Sequence, residues 1–243
     1  QAATGGFNEV ANSRSGAMMM CCCAAEETTM AEVSSTAVLE EGNKFAEGKF
    51  APAVATVEVG KFDMILNLPE YKMSLLGLEI DVTDESGLVV ASISDGAIQR
   101  HNELYPTQAL RIYDKIIKAD DTVEPSQMYK KMKTSAREQK ESLRVYVSRP
   151  SRFEVMVSNK GELGLKLNYK NNSAGINITS ISDGGMLAKW NKAHLDRQAL
   201  PGDRIIAVNG KEMRGLELIE SIKEEQASST LQDIRMTVLR YEK

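Results

Sequence analysis

Cysteine, histidine and long apolar runs are all scarce in this 243-residue sequence. Its 3 cysteines stand together at 21–23 and only 2 histidines are present, so neither a disulfide framework nor a zinc-ligand spacing is available. The longest run of small and apolar residues, 17–25, is far shorter than the roughly 20 residues of a membrane-spanning helix. These absences exclude a disulfide-stapled scaffold, and we expect no membrane-spanning segment, no bound metal and no other cofactor.

Positive charge is in slight deficit as well. The sequence has 30 lysines and arginines against 34 aspartates and glutamates, which gives a net charge of −4. Because nonspecific binding to nucleic acid depends on an excess of positive charge, we do not expect a nucleic-acid partner. With 42% hydrophobic and 26% charged residues, the composition is that of a globular protein, and the length suits about one or two domains.

Recognisable catalytic motifs are missing too. The sequence contains neither a phosphate-binding P-loop nor the glycine fingerprint of dinucleotide-binding folds, and no serine or cysteine lies in a nucleophile elbow. His101 and His194 fall between the first helix and the central strand that the sequence suggests for each half, and we interpret both as solvated loop residues. Adjacent carboxylates such as Asp120 and Asp121 splay apart and do not form an acid-base pair. We therefore expect that the protein is not an enzyme.

Residues 1–60 differ from the rest of the chain. They hold 3 basic and 8 acidic side chains, are rich in alanine, serine, threonine and glycine, and show no sustained helical or strand period. Such a segment buries too little apolar surface to order itself, so we predict a disordered, flexible acidic tail. Cys21, Cys22 and Cys23 are candidates for lipidation, with two acyl chains needed for stable anchoring. An unmodified tail and a cleaved leader are the alternatives.

The remaining chain contains an internal repeat. The pentapeptide SISDG occurs twice without change, and two further motifs recur at nearly the same spacing. Such self-similarity indicates duplicated structural units, and we predict modules at 61–149 and 152–243. The matched segments are 92–96 with 180–184, 76–78 with 163–165, and 114–117 with 203–206.

Hydropathy patterns predict that each module is mainly β with two helices, an α+β fold. Alternation of apolar and polar residues indicates half-buried strands, whereas 205–208 is apolar throughout and is typical of a central strand. Apolar residues three and four apart indicate helices. In the second module the alternating segments are 153–157, 165–168 and 234–238, and the helical ones are 185–191 and 215–222.

Three motifs follow one another in the second module: ELGL at 162–165, GDRIIAVNG at 202–210, and a helix ending at 222–223. In this order and spacing they resemble the PDZ domain family. The first module is a divergent copy, because it keeps LLGL at 75–78 but has other residues at the two later turns. The resemblance implies two PDZ-like, partly open β-barrels in tandem after the disordered tail. The residues of the first module at these two turns are Tyr113-Asp114 and Asp120-Asp121.

The resemblance also implies a binding site in each module. An extended C-terminal or internal peptide would add as a strand between the strand after the loop and the second helix. The glycine of the loop would let backbone amides converge on the peptide carboxylate, which a side chain there would obstruct. For the apolar pocket residues, plain core packing is the alternative. The implied set is Leu163, Gly164 and Leu165 with Lys160 beside the loop, Leu167, Ile219 and Ile222 in the pocket, and Leu76, Gly77, Leu78, Ile80, Tyr129 and Met132 in the first module.

The ligand class stays open at this stage. Gly215 and Pro125 occupy the helix position where many family members carry a ligand-reading histidine. The resemblance implies a cytoplasmic adaptor or scaffold that binds C-terminal peptides of membrane or signalling proteins, with membrane attachment through an acylated tail as an option. The alternative is the regulatory or substrate-recognition part of a larger protease or membrane-associated assembly. Only Arg149-Pro150-Ser151 joins the modules, so either both grooves act together or the first module supports the second.

Overall fold

The computed structural model describes residues 29–32, 60–230 and 232–242. The three cysteines considered for lipidation lie outside these residues. The first module has a one-turn helix and a 3₁₀ turn beyond its two expected helices. After β1 (Thr29–Glu32), its elements are β2 (Gly60–Leu66), α1 (Leu68–Tyr71), β3 (Leu78–Asp81), β4 (Leu88–Ile93), α2 (Ala97–Leu104), the 3₁₀ turn Pro106–Gln108, β5 (Lys115–Ala119), α3 (Pro125–Arg137) and β6 (Leu143–Arg149).

The second module repeats this order. Its elements are β7 (Ser151–Ser158), β8 (Leu165–Tyr169), β9 (Ile176–Ile181), α4 (Met186–Ala193), β10 (Arg204–Val208), β11 (Lys211–Glu212), α5 (Gly215–Ala227) and β12 (Asp233–Arg240). None of the helices in the described ranges is long and apolar enough to cross a membrane.

The two sheets share one topology. The first is antiparallel in the order β2-β6-β5-β4-β3, and the second runs β7-β12-β10-β9-β8 with β11 paired to β10. The loop-following strands β3 and β8 therefore occupy equivalent sheet edges. In the second module, β1 adds to that edge and completes a seven-stranded sheet. The prediction of a mainly β fold made of two open, duplicated units is confirmed.

Each module buries its own apolar core between the sheet and its helices. All five residues of β10 are buried, which confirms its prediction as a central strand. Amphipathic α3 buries Met128 and Met132, and α5 buries Leu218 and Ile222. The matched pairs lie at the same places in two 13-residue helices, so the apolar stripe that fixes each helix is common to both modules.

The repeated Asp-x-Ile-Ile motif is structural. Arg149 Nη2 lies 2.8 Å from Asp114 Oδ2 in the first module, and Arg240 Nη2 lies 2.6 Å from Asp203 Oδ2 in the second. Each aspartate also accepts a backbone amide from the turn before it. The ion pair thus ties the turn before the central strand to the last strand of the same module.

The histidines differ from expectation. His101 lies on α2 with 1% of its surface exposed, and its Nδ1 is 2.9 Å from the Tyr71 hydroxyl. It shares the buried face of α2 with Ala97 and Ile98, because residues three and four apart align on one side of a helix. Burial lowers the pKa of its imidazole. The interpretation of His101 as a solvated loop residue is therefore wrong. His194 follows the last residue of α4, is half-buried and stacks on the Trp190 ring at 3.5 Å.

The first module keeps the turn conformations of the second without their glycines. Tyr113 has a φ of 70° where Gly202 has 97°, and Asp120 has a φ of 50° where Asn209 has the same value. Aspartate and asparagine tolerate this left-handed region, whereas a bulky residue is strained there. Divergence of the turn sequence has therefore not changed the course of the backbone.

Candidate functional site

The loop before β8 directs its carbonyl groups into the second module. Three successive carbonyl oxygens, at 162–164, accept hydrogen bonds from the start of α4 and from the residue after β9. Because a trans peptide unit holds its N–H opposite its C=O, the amides of 163–165 point the other way, out of the module beside the β8 edge. The bonds are Met186 N to Glu162 O at 2.8 Å, Leu187 N to Leu163 O at 3.2 Å and Ser182 N to Gly164 O at 2.8 Å.

The divergent first module has the same loop. Carbonyl oxygens at 75–77 accept bonds from the start of α2 and from the residue after β4, so the amides of 76–78 point outward beside the β3 edge. Three amides that share one direction can bind an anion such as a carboxylate. The bonds are Ala97 N to Leu75 O at 2.9 Å, Ile98 N to Leu76 O at 3.1 Å and Ser94 N to Gly77 O at 2.8 Å.

The loop glycines are required by what lies behind the loop. Gly77 and Gly164 have φ values of +71° and +72°, which L side chains rarely adopt. A Cβ on Gly164 would lie 2.9 Å from the Gly185 Cα, and one on Gly77 would overlap the carbonyl oxygen of Ser94. The expected reason, obstruction of the outward amides, is therefore not the main one. Close approach to the turn before the helix explains both glycines.

In the second module, the apolar residues proposed for the site belong to the core behind the groove. All have 2% or less of their surface exposed and pack in one cluster. Lys160 is exposed, three residues before the loop amides. The buried residues are Leu163, Leu165, Leu167, Ile219 and Ile222.

In the first module, the corresponding residues separate into two groups. Leu76, Gly77, Leu78 and Tyr129 line a groove of about 680 Å³ between the loop and α3. Met132 is fully buried in the core of the first module and does not line the groove, and Ile80 is a half-buried residue outside that lining. The structure thus brings the loop and Tyr129 together and places Met132 behind them.

Three cations along the groove were not singled out by sequence reasoning. Lys130, Lys133 and Arg137 line it from α3. Their spacing of three and four residues places them on one helical face. That spacing, and the lack of acidic residues throughout α3, are sequence signals that could have found them.

Strand β1 is a second feature that the sequence did not indicate. It pairs antiparallel with β8, with Thr29 opposite Tyr169 and Glu32 opposite Lys166. The chain therefore runs along the β8 edge toward the outward amides of the loop. This is the geometry of strand addition to a sheet edge.

Strand β3 contacts the second module through two carboxylates. Arg214 forms a bidentate pair with Glu79 at 2.7 and 2.9 Å, and Arg204 Nη1 lies 2.5 Å from Asp81 Oδ2. Burial raises the pKa of Asp81, but the Arg204 charge and bonds from Thr83 outweigh it and hold that pKa below its ordinary value. These contacts fix the first groove relative to the second module.

Strand order, an edge strand beside a helix, and a loop with outward amides occur together in both modules. Each module has a PDZ-like fold. No protein-family model and no curated protein matches the chain. Solved structures that it resembles include INAD PDZ45 with NORPA CC-PBM (19% identity, 78% of this chain, 97% of that chain, TM-score 0.31). A second is INAD PDZ45 with an NG2 peptide (17% identity, 80% of this chain, 96% of that chain, TM-score 0.29). A third is a choanoflagellate GIPC PDZ domain (19% identity, 38% of this chain, 94% of that chain, TM-score 0.31).

Proposed function

We propose that this protein is a non-catalytic adaptor whose PDZ-like modules bind extended peptides by strand addition and recognise a free C-terminus. The observation that carries the proposal is the set of three outward amides next to an edge strand, present in both modules. Each charge-assisted hydrogen bond to a carboxylate contributes about 1.5–3 kcal/mol. Two or three such bonds suffice to distinguish a free C-terminus from a blocked one.

The edge strands provide the second part of the binding site. In the described part of the chain, β3 has a neighbour on one side only, so its other edge can pair with a peptide. The β8 edge already carries an antiparallel strand, β1. Pairing of this kind at β8 supports strand addition as the binding mode.

We assign the carboxylate to the amides of the two loops, with Lys160 as a nearby cation in the second module. Leu165, Leu167, Ile219 and Ile222, which pack behind the groove, would form the base of the pocket for the last ligand side chain. In the first module, Leu78, Ile80 and Tyr129 take these roles, and the buried Met132 supports α3 from behind.

The proposal includes cytoplasmic partners, namely the C-termini of membrane or signalling proteins, and membrane attachment if the tail cysteines are acylated. β6 ends at Arg149 and β7 begins at Ser151, so a single residue separates the modules. Two grooves held in a fixed relation can bind a bivalent partner with about 10²- to 10⁴-fold greater avidity if its spacing fits.

The test is a titration of the full chain against a library of peptides with free C-termini. The best binders are then compared with their C-terminally amidated forms, and N-terminal acetylation of the same peptides is the control. We expect amidation to weaken binding by at least about tenfold, because one lost charge-assisted bond already has that effect, and acetylation to have none. Equal binding of the acid and the amide would refute carboxylate recognition.

A further inference from the structure

The helices that border the two grooves carry opposite charge. Helix α3 has four cations and no acidic residue, whereas α5 has four glutamates and one lysine. The cations are Lys130, Lys131, Lys133 and Arg137, and the charged residues of α5 are Glu217, Glu220, Lys223, Glu224 and Glu225.

Three of the four cations on α3 face the groove. Lys130, Lys133 and Arg137 are exposed and line it, and none of them forms an ion pair with another described residue. Lys131 is turned away and forms an ion pair with Asp121. Among the described residues, the groove therefore presents three cations without ion-pair partners, against a single acidic lining residue, Asp95.

The charge inversion is not a requirement of the fold. Both helices have 13 residues, so Lys130 corresponds to Glu220 and Arg137 to Ala227. The buried pairs Met128 with Leu218 and Met132 with Ile222 are apolar in both modules. Lys133 corresponds to Lys223 and keeps its charge, so the three groove-lining positions carry a net charge of +3 in the first module and 0 in the second. These are positions that a bound peptide would contact.

Resting on the proposed function, we propose that the first module selects C-terminal peptides with acidic side chains near their end, and that the second module does not. Side chains alternate between the two faces of an added strand, so every second side chain of the ligand faces α3. A glutamate there meets a cation that forms no ion pair within the described part of the chain. The free carboxylate at the loop is attracted by the same positive field.

The experiment uses the full chain and free-acid peptides that share an apolar last residue, with glutamate or the neutral isostere glutamine at upstream positions. The groove variant is Lys130→Glu/Lys133→Glu/Arg137→Glu. The matched control is Arg111→Glu/Lys192→Glu/Lys211→Glu, which makes the same change in net charge at exposed sites outside the groove. Binding is measured by fluorescence titration at low and at physiological salt.

We expect the glutamate peptide to bind more tightly than the glutamine peptide, and more so at low salt. The groove variant should weaken binding of the glutamate peptide by up to about 30-fold, from about threefold for each of the three exposed cations. The control should weaken it by less than about twofold. Single glutamates should raise affinity at alternate ligand positions only.

Two outcomes would overturn the acidic preference: equal binding of the glutamate and glutamine peptides, or a preference that survives in the groove variant. Both leave the proposed function intact if amidation still abolishes binding. If amidation has no effect, the proposed function itself fails.

A separate observation, β1, carries a second inference about regulation. β9 pairs with one edge of β8 and β1 occupies the other. An edge can pair with only one strand at a time, so β1 and an external peptide exclude each other there. We propose that Thr29–Glu32 is an internal ligand of the second module and that a peptide binds this groove only when β1 is released.

The test is Met30→Pro/Ala31→Pro in the full chain, because proline lacks the N–H that a strand ladder needs. Ala24→Pro/Ala25→Pro, outside β1, is the matched control. Amide hydrogen exchange across Leu165–Tyr169 should be faster in the first variant than in wild type and unchanged in the control. Equal exchange in all three proteins would overturn the inference, whatever the outcome of the peptide titrations.

Discussion

Replacing Asp81 by alanine should destabilise the protein strongly and loosen the contact between its modules. Asp81 Oδ2 accepts from Arg204 Nη1 at 2.5 Å and from the Ala174 amide at 3.0 Å, and Oδ1 accepts from the Thr83 amide at 2.8 Å. The Arg204 side chain is 0% exposed and that of Asp81 is 2% exposed. Water therefore cannot reach either side chain to replace a hydrogen-bond partner that is removed.

The magnitude follows from this burial. Removing one member of a buried ion pair costs about 3–5 kcal/mol, because the other charge is left without compensation. Nε and Nη2 of Arg204 already lack partners in the described structure, which leaves only the Ala174 carbonyl for its guanidinium. A loss of this size is a large part of the roughly 5–15 kcal/mol that stabilises a typical domain.

The assay is urea unfolding followed by the fluorescence of the single tryptophan, Trp190, which lies in the second module with Arg204. Glu79→Ala is the matched control, because Glu79 lies on the same strand as Asp81 but the side chains of Glu79 and its partner Arg214 are 49% and 38% exposed. An exposed pair contributes about 0–1 kcal/mol. If Asp81→Ala costs no more than Glu79→Ala, the reasoning from burial is refuted.

Three further outcomes are expected. The folded-state pKa of Asp81 lies below its ordinary 3.8, so its ionised form stabilises the fold above that pH. The free energy of unfolding should therefore fall as the pH drops below about 4, and Asp81→Asn should remove this part of the pH dependence. Gly164→Ala, at φ +72° and against the Gly185 Cα, should lower stability by about 1–3 kcal/mol and weaken binding of free-acid peptides; an unchanged melting temperature would contradict this. Met132→Ala should lower the free energy of unfolding in urea by about 2–5 kcal/mol with little change in peptide affinity. Tyr129→Ala should weaken peptide binding with little change in the free energy of unfolding. Equal effects of both substitutions would show that groove and core are not separated as described.

Local patterns predicted the fold well because they depend on neighbours in the chain. The apolar run at 205–208 is the buried strand β10, and the repeated LGL triplets form equivalent loops. The pocket prediction was coarser. A helical stripe indicates which residues are apolar, but not that Met132 faces the core while Tyr129 reaches the groove.

What the sequence did not predict depends on partners far along the chain. β1 has no strand period of its own and is a strand because it pairs with β8, more than a hundred residues away. Asp81 and Arg204 are separated by 123 residues, and neither stands in a motif that indicates the other. His101 was placed after the first helix, whereas α2 continues to Leu104 and includes it.

The tyrosine at 113, where the second module has Gly202, makes contacts that depend on the tandem arrangement. A non-glycine residue in the left-handed region costs roughly 1–2 kcal/mol, yet Tyr113 is held from two sides by the second module. Its carbonyl oxygen accepts from the Tyr241 hydroxyl at 2.8 Å, and its own hydroxyl donates to Glu212 at 3.1 Å. A glycine would relieve the strain and lose the hydroxyl contact. The substitution therefore exchanges an ideal turn for a contact between modules, and the loop amides of the first module keep the same orientation as in the second.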